Sequence, residues 1–241
     1  MGRKSARRRA GRPRVGEEPL TREGILRSAL RLVDEGGIGA LSMRRLAGEL
    51  GVDPMAIYHH LPGKGAVFSG LAEIVFAEMR VPAPSGSWQD RVRAWAHAYH
   101  GLARAHPNFV TQLVTEAPVA ATATLEVGEA LYEAFEASGM PPGTVVRAVD
   151  LVVDYVNGFA LGEVGGPLGR PEDRRELLEQ LEARPPEQFP TMRRLFGGLA
   201  GAELAADFAF GLDAIIAGLE AKAGTLDRLA RASGRGTRRG L

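Results

Sequence analysis

The sequence predicts an all-α chain of two domains. Three observations carry this. From Trp88 to Gly224 the apolar residues recur at helical spacing between Gly and Pro breaks. No segment combines sustained period-two alternation with β-branched enrichment, so strands are not expected. Near the N-terminus, two short capped helices meet across a glycine. A chain of 241 residues is long enough to bury two cores. The predicted division is a basic disordered arm over 1–19, a helix-turn-helix domain of three or four helices over 20–80, a larger helical domain over 88–224 and a basic tail over 225–241.

In chain order, Thr21 is placed to cap a first helix. Its core face is Ile25, Leu26, Ala29, Leu30, Leu32 and Val33, and Gly36-Gly37 ends it. In LSMRRLAGELGVDPMAIYHHLPGK, Ser42 caps a second helix with Met43, Leu46, Ala47 and Leu50 on one stripe. Gly51 stands where a positive φ is needed. Asp53 caps a third helix with Pro54 at its first position. Val52 and Ile57 stand as a hydrophobic staple. With Ala56, Ile57 and Leu61 available to pack, Met55, Tyr58 and His59 are left facing out. A fourth helix after Lys64 carries Val67, Phe68, Leu71, Ile74, Val75 and Met79, and Pro82 closes it. Ser87 caps the next element after the linker VPAPSGS.

Further helices are expected over 88–105, 107–116, 118–138, 142–164, 172–183 and 202–222. The penultimate long helix has Val145, Val149, Val152, Val153, Val156 and Ala160 on one face and Arg147, Asp150, Asp154 and Asn157 on the other. The last has the stripe Leu204, Phe208, Leu212, Ile215 and Leu219, with small residues Ala209, Gly211 and Gly218. Residues 165–201 read as a mobile insert around one helix.

The formal net charge of +1 is unevenly spread. Residues 1–80 carry a net +5, residues 81–227 a net −9 and residues 228–241 a net +5. A positive N-terminal third on an acidic body fits a polyanion partner for the first domain alone. Lysine is scarce (Lys4, Lys64 and Lys222), so the preference for Arg says little about phosphate. The absence of cysteine rules out disulfides and thiolate metal sites. No apolar run has membrane-spanning length and no signal-peptide core follows the basic N-terminus, so a cytoplasmic chain without a membrane partner is expected.

Two capped helices across a glycine turn form a helix-turn-helix, whose second helix reads the major groove of double-stranded DNA. An ordinary helical hairpin in a core would share the pattern. The flanking residues add to it. TREGILRSALRLVDEGGIGALSMRRLAGELGV followed by IYHHLPGKGAVF resembles the DNA-binding domain of the tetracycline-repressor (TetR) family of transcriptional regulators. The order of helices after Trp88 is similar to that family's regulatory domain. The resemblance implies a homodimer through residues 142–164 and 202–222, a ligand cavity among the earlier helices, and a repressor released from a palindromic operator by a small-molecule effector.

Carried over position by position, it implies that Ser42, Arg44, Arg45, Met55, Ala56, Tyr58, His59, His60 and Lys64 approach DNA. Chemistry supports this independently. Arg pairs bidentately with guanine, a Tyr hydroxyl and Lys suit phosphate, and Met or Ala meets a thymine methyl. Pro54 departs from the polar residue often found there. Arg7, Arg8, Arg9, Arg12 and Arg14 form a DNA-contacting arm.

For an apolar or aromatic effector, Trp95, Tyr99, Phe109, Leu113, Leu131, Phe135 and Phe159 stand at core-compatible positions, with His100, Gln112 and Asn157 as polar partners. The family's magnesium-binding histidine is matched by Gln112, which argues against magnesium-tetracycline. His97 and His100 share a face, but no carboxylate stands at ligand spacing, so no metal and no cofactor are expected. No phosphate loop or nucleophile elbow is present, and Asp150 and Asp154 lie on a polar face with Arg147, so no enzyme is expected. A regulator of the same fold with a protein effector or none, and a helical enzyme with an accessory DNA-binding module, remain as alternatives.

Overall fold

The computed structural model describes residues 19–81, 85–116, 122–165, 171–196 and 204–236. Among these, every regular element is helical: α1 (Arg22–Gly36), a 3₁₀ turn (Ile38–Ala40), α2 (Met43–Leu50), α3 (Pro54–His60), α4 (Lys64–Phe76), α5 (Trp88–Ala105), α6 (Pro107–Glu116), α7 (Thr122–Glu136), α8 (Pro142–Gly165), α9 (Pro171–Glu182), α10 (Pro190–Phe196) and α11 (Leu204–Gly236). The arm residues Arg7, Arg8, Arg9, Arg12 and Arg14 lie outside the described residues.

The helix starts follow the capping chemistry. The Thr21 hydroxyl accepts from the Gly24 N–H at 3.1 Å, and Arg22 of α1 pairs with Glu73 of α4 at 2.8 Å. Ser87 and Asp90 form a reciprocal capping box at the start of α5. The Ser87 hydroxyl, donating to Asp90 Oδ2 at 2.7 Å, and then the Ser87 N–H, donating to it at 3.0 Å, hold the Asp90 carboxyl below its ordinary 3.8. α4 ends at Phe76, short of the predicted Met79. Its carbonyls pass into i→i+3 bonds, with the Glu78 and Met79 N–H groups donating to Val75 and Phe76. Met79 still packs on the core.

α1 to α4 form the N-terminal domain around Ile25, Leu26, Val33, Leu46, Ile57, Val67 and Leu71. α5 is the spine of the second, packing on α6, α7 and α8, while α11 lies along α8. The two cores are continuous. Phe109 of α6 stacks on Phe68 of α4 at 5.3 Å and meets Phe76 edge-on at 6.3 Å, and Phe76 also touches Tyr99.

Four expectations change here. The insert read as one helix holds two among its described residues. Pro190 starts α10 at a position that needs no N–H. Arg193 then ties α10 back to α9, donating to the carbonyls of Leu181, Arg184, Pro185 and Gln188. The last helix runs past Lys222 to Gly236, because isolated glycines such as Gly224 and Gly234 cost only ~1 kcal/mol each against the helix formers around them. The stripe on α11 packs within this chain, with Ile216 enclosed and the expected Ile215 only half-buried. Phe208, Leu212, Ile216 and Leu219 are buried within this chain, Leu212 at 1% exposure. The outward residues are Phe210, Asp213, Ala214, Ala217 and Gly218. On α8, Arg147, Asp150 and Asp154 are exposed as expected, whereas Asn157 turns inward.

Candidate functional site

Two places concentrate chemistry. The first is the α2–α3 hairpin. The Ser42 hydroxyl accepts from the Arg45 N–H at 3.1 Å, and the Asp53 carboxylate accepts from the Met55 N–H at 2.8 Å. Gly51 adopts φ 65° and ψ 24°, the left-handed region that ends α2 without a side-chain clash. Ile57 and Leu61 then plug α3 into the core. A helix of seven residues has no independent stability, so this anchoring fixes its orientation.

What the anchoring leaves outside is one polar and amphipathic face. Arg44 and Arg45 are exposed on α2. Met55, Tyr58, His59 and His60 are exposed on α3, and Lys64 is exposed at the start of α4. His60 is thus a surface residue. Ala56 is half-buried beside them, and Ser42, although exposed, spends its hydroxyl on the cap. The face carries cations, a phenol and thioether or methyl surface across α2, α3 and the start of α4. That is the set needed to meet phosphates and base edges together.

The second place lies where α5, α8 and α11 meet. The Tyr99 hydroxyl donates to Asn157 Oδ1 at 2.8 Å, and burial pushes the phenol up to about 12. His100 Nε2 bonds Glu163 Oε2 at 2.7 Å, and the Glu163 side chain is only 14% exposed. The His100 ring lies flat on Phe208 at 4.1 Å and edge-on to Phe159 at 5.5 Å. Tyr155 stacks on the same Phe208 and donates its hydroxyl to that residue's carbonyl at 2.8 Å. Burial, with the Asp207 carboxylate behind it, raises this phenol too. His97 meets Phe208 edge-on. Burial first, and the neighbouring His100 second, hold it below its ordinary 6.5.

Of the residues predicted for an effector, Tyr99, His100, Asn157 and Phe159 come together here. Trp95 adjoins Tyr99 but commits its indole N–H to the Val127 carbonyl at 2.8 Å, tying α5 to α7. Phe109 belongs to the seam with α4. Phe135 packs on Trp88 at 5.7 Å, and Leu131 is buried on the same helix. Gln112 and Leu113 are buried on α6. Sequence reasoning missed Glu163, Tyr155 and Phe208 as members of this group. Glu163 lies 63 positions from its partner, and no local spacing pairs them. It is also the carboxylate that helical spacing alone did not place beside His100. Among the described residues, no three His, Cys, Asp or Glu side chains are grouped to hold a metal ion, and no helix is long and apolar enough to cross a membrane.

Comparison with known proteins gives the geometry its context. Residues 25–71 match the family described as bacterial regulatory proteins, tetR family, and residues 81–223 match the tetracyclin repressor-like C-terminal domain, which alone spans more than half of the chain. An HTH-type transcriptional regulator of Saccharopolyspora erythraea is 31% identical, with 85% of this chain and 86% of the relative covered. The HTH-type transcriptional repressor DrrR1 of Streptomyces coeruleorubidus is 28% identical, with 87% and 81% covered. Among solved structures, ActR of Streptomyces coelicolor in complex with actinorhodin superposes with a TM-score of 0.73 at 28% identity, covering 86% of this chain and all of that one.

Proposed function

Because the chain belongs to the TetR family of DNA-binding transcriptional regulators, we propose that it represses from a palindromic operator as a homodimer and leaves when a small molecule occupies its C-terminal domain. The carrying observation is the capped α2–α3 hairpin, which holds Met55, Tyr58 and His59 outward behind Arg44 and Arg45. In this reading α3 enters the major groove, Arg44 reads a base, and Tyr58 and Lys64 hold phosphate. Selection from a random DNA pool tests it. Wild-type protein should enrich a two-fold symmetric sequence. Arg44→Ala should keep that sequence but relax one position per half-site, by ~1–3 kcal/mol if the contact is bidentate to guanine. A wild-type pool without enrichment overturns the proposal.

The subunit face we assign to the outward side of α8 and α11. Val146 and Leu151 are exposed there, Phe210 is 79% exposed, and Gly158, Ala214, Ala217 and Gly218 keep the backbones accessible to close approach. A two-fold axis through these helices pairs the patch with itself. Phe210→Glu should therefore yield a monomer in sedimentation with unchanged helical content, because the side chain touches little of its own subunit. A Phe210→Glu protein that stays dimeric places the interface elsewhere.

The effector is proposed to be flat, with an aromatic face and hydrogen-bonding groups. ActR, a relative by fold and sequence, is found with actinorhodin. Here the rings of Phe159 and Phe208 stand beside the His100–Glu163 bond, which joins α5 to α8 as the Tyr99–Asn157 bond does. A ligand that competes for those bonds favours a different α5–α8 packing. Its unequal affinity for the two packings is what shifts operator binding.

A further inference from the structure

A single residue separates α5 from α6, and it is a histidine. The His106 N–H closes α5 on the Leu102 carbonyl at 2.9 Å, and Pro107 opens α6 at once. Its side chain, nearly enclosed, reaches across to the N-terminal domain at two points. Nδ1 lies 3.1 Å from Asp34 Oδ2, in the last turn of α1. Nε2 lies 3.1 Å from Glu78 Oε2, just beyond α4. Asn108, two residues on, donates to the Asp34 backbone carbonyl at 2.9 Å. Carboxylates only accept, so both bonds form together when both ring nitrogens carry hydrogen.

The Asp34 carboxylate stands at the carbonyl end of a helix, where a negative charge is unfavourable, and α1 carries no basic residue in its own last turn. The compensating donors come from the other domain. The aromatic contacts between the domains, Phe68 and Phe76 against Phe109 and Tyr99, are apolar, and α4 also packs on α7. Apolar burial is non-directional and tolerates small rotations. Hydrogen bonds to charged groups are directional and short. The seam supplies adhesion; the histidine supplies the angle.

We infer that His106 is a positioning and specificity-determining residue, whose bonds to Asp34 and Glu78 fix the angle of each DNA-reading domain and so set the half-site spacing that the dimer accepts. This rests on the proposed operator-binding dimer. One base pair of spacing turns the second half-site by about 34° and shifts it by about 3.4 Å, which a rigidly held pair of domains does not follow.

The test takes the consensus half-sites that full-length wild-type protein selects and rebuilds them with the central spacer lengthened or shortened by one and two base pairs. Wild type should prefer one spacer by at least about tenfold. His106→Ala and, independently, the double variant Asp34→Asn with Glu78→Gln should each narrow that ratio to about threefold or less while selecting the same half-site. Simple destabilisation lowers binding to every spacer alike and leaves the ratio unchanged. Two variants guard against one failing to fold. A wild-type spacer ratio retained in every variant that folds overturns the inference and leaves the operator reading standing. Wild-type protein that selects no half-site overturns both.

Discussion

Phe208→Ala should lower the unfolding free energy by ~3–5 kcal/mol, the range for deleting a fully enclosed phenylalanine. The side chain is 1% exposed, and four other rings depend on it: His100 and Tyr155 stacked, His97 and Phe159 edge-on. Removing it costs the transfer energy of the ring and leaves a cavity whose walls are held in place. α11 rests on α8, and Gly211 lets it approach so closely that a Cβ there would lie 2.3 Å from the Tyr155 hydroxyl. Tyr155, pinned between Gly211 and the Phe208 carbonyl, has little room to collapse into the gap. The proposed dimer platform loosens with it, so association should weaken as well. Urea unfolding and sedimentation measure the two effects. Phe208→Leu should recover part of both, and an alanine variant within 1 kcal/mol of wild type would show that the five-ring group is not what holds α11.

Ile57→Ala has the second largest expected effect, and on function more than on bulk stability. Ile57 is wholly enclosed and, with Leu61, anchors a helix of seven residues. Truncation removes ~2–5 kcal/mol of that anchoring, and every 1.4 kcal/mol is about a factor of ten in an equilibrium. Selected DNA should therefore bind at least tenfold more weakly. Sedimentation and far-UV circular dichroism should stay near wild type, since α3 contributes little of the total helix and lies far along the chain from α8 and α11. Full DNA affinity in this variant would mean that α3 is held by something other than its buried face.

The N-terminal domain was legible almost residue by residue. Ser42, Gly51 and Asp53 act through backbone groups within four residues of themselves, so their chemistry is local and readable. Helical periodicity likewise gave the extents of α5, α6 and α8. It could not say what covers an apolar stripe. Leu212 and Phe210 are two positions apart on one helix, and only tertiary packing decides that Leu212 meets α8 while Phe210 remains outside. The same limit hid Glu163 from His100, Arg193 from the carbonyls closing α9, and Asp34 from His106, pairs joined only by the fold. On α7 and α8, an aromatic at core spacing looks alike whether it lines a ligand site, as Phe159 is proposed to, or fills a core, as Phe135 does.

The unbroken core between the two domains also bears on transplantation. A reading head cut at the linker after Met79 and replaced by another family member's would arrive with a foreign surface opposite Phe109 and His106. Chimeras meant to redirect this regulator to a new promoter therefore need their border drawn in three dimensions. The grafted head has to keep Asp34, Phe68, Phe76 and Glu78, while α2 and α3, which contribute none of those four, can be exchanged as a cassette.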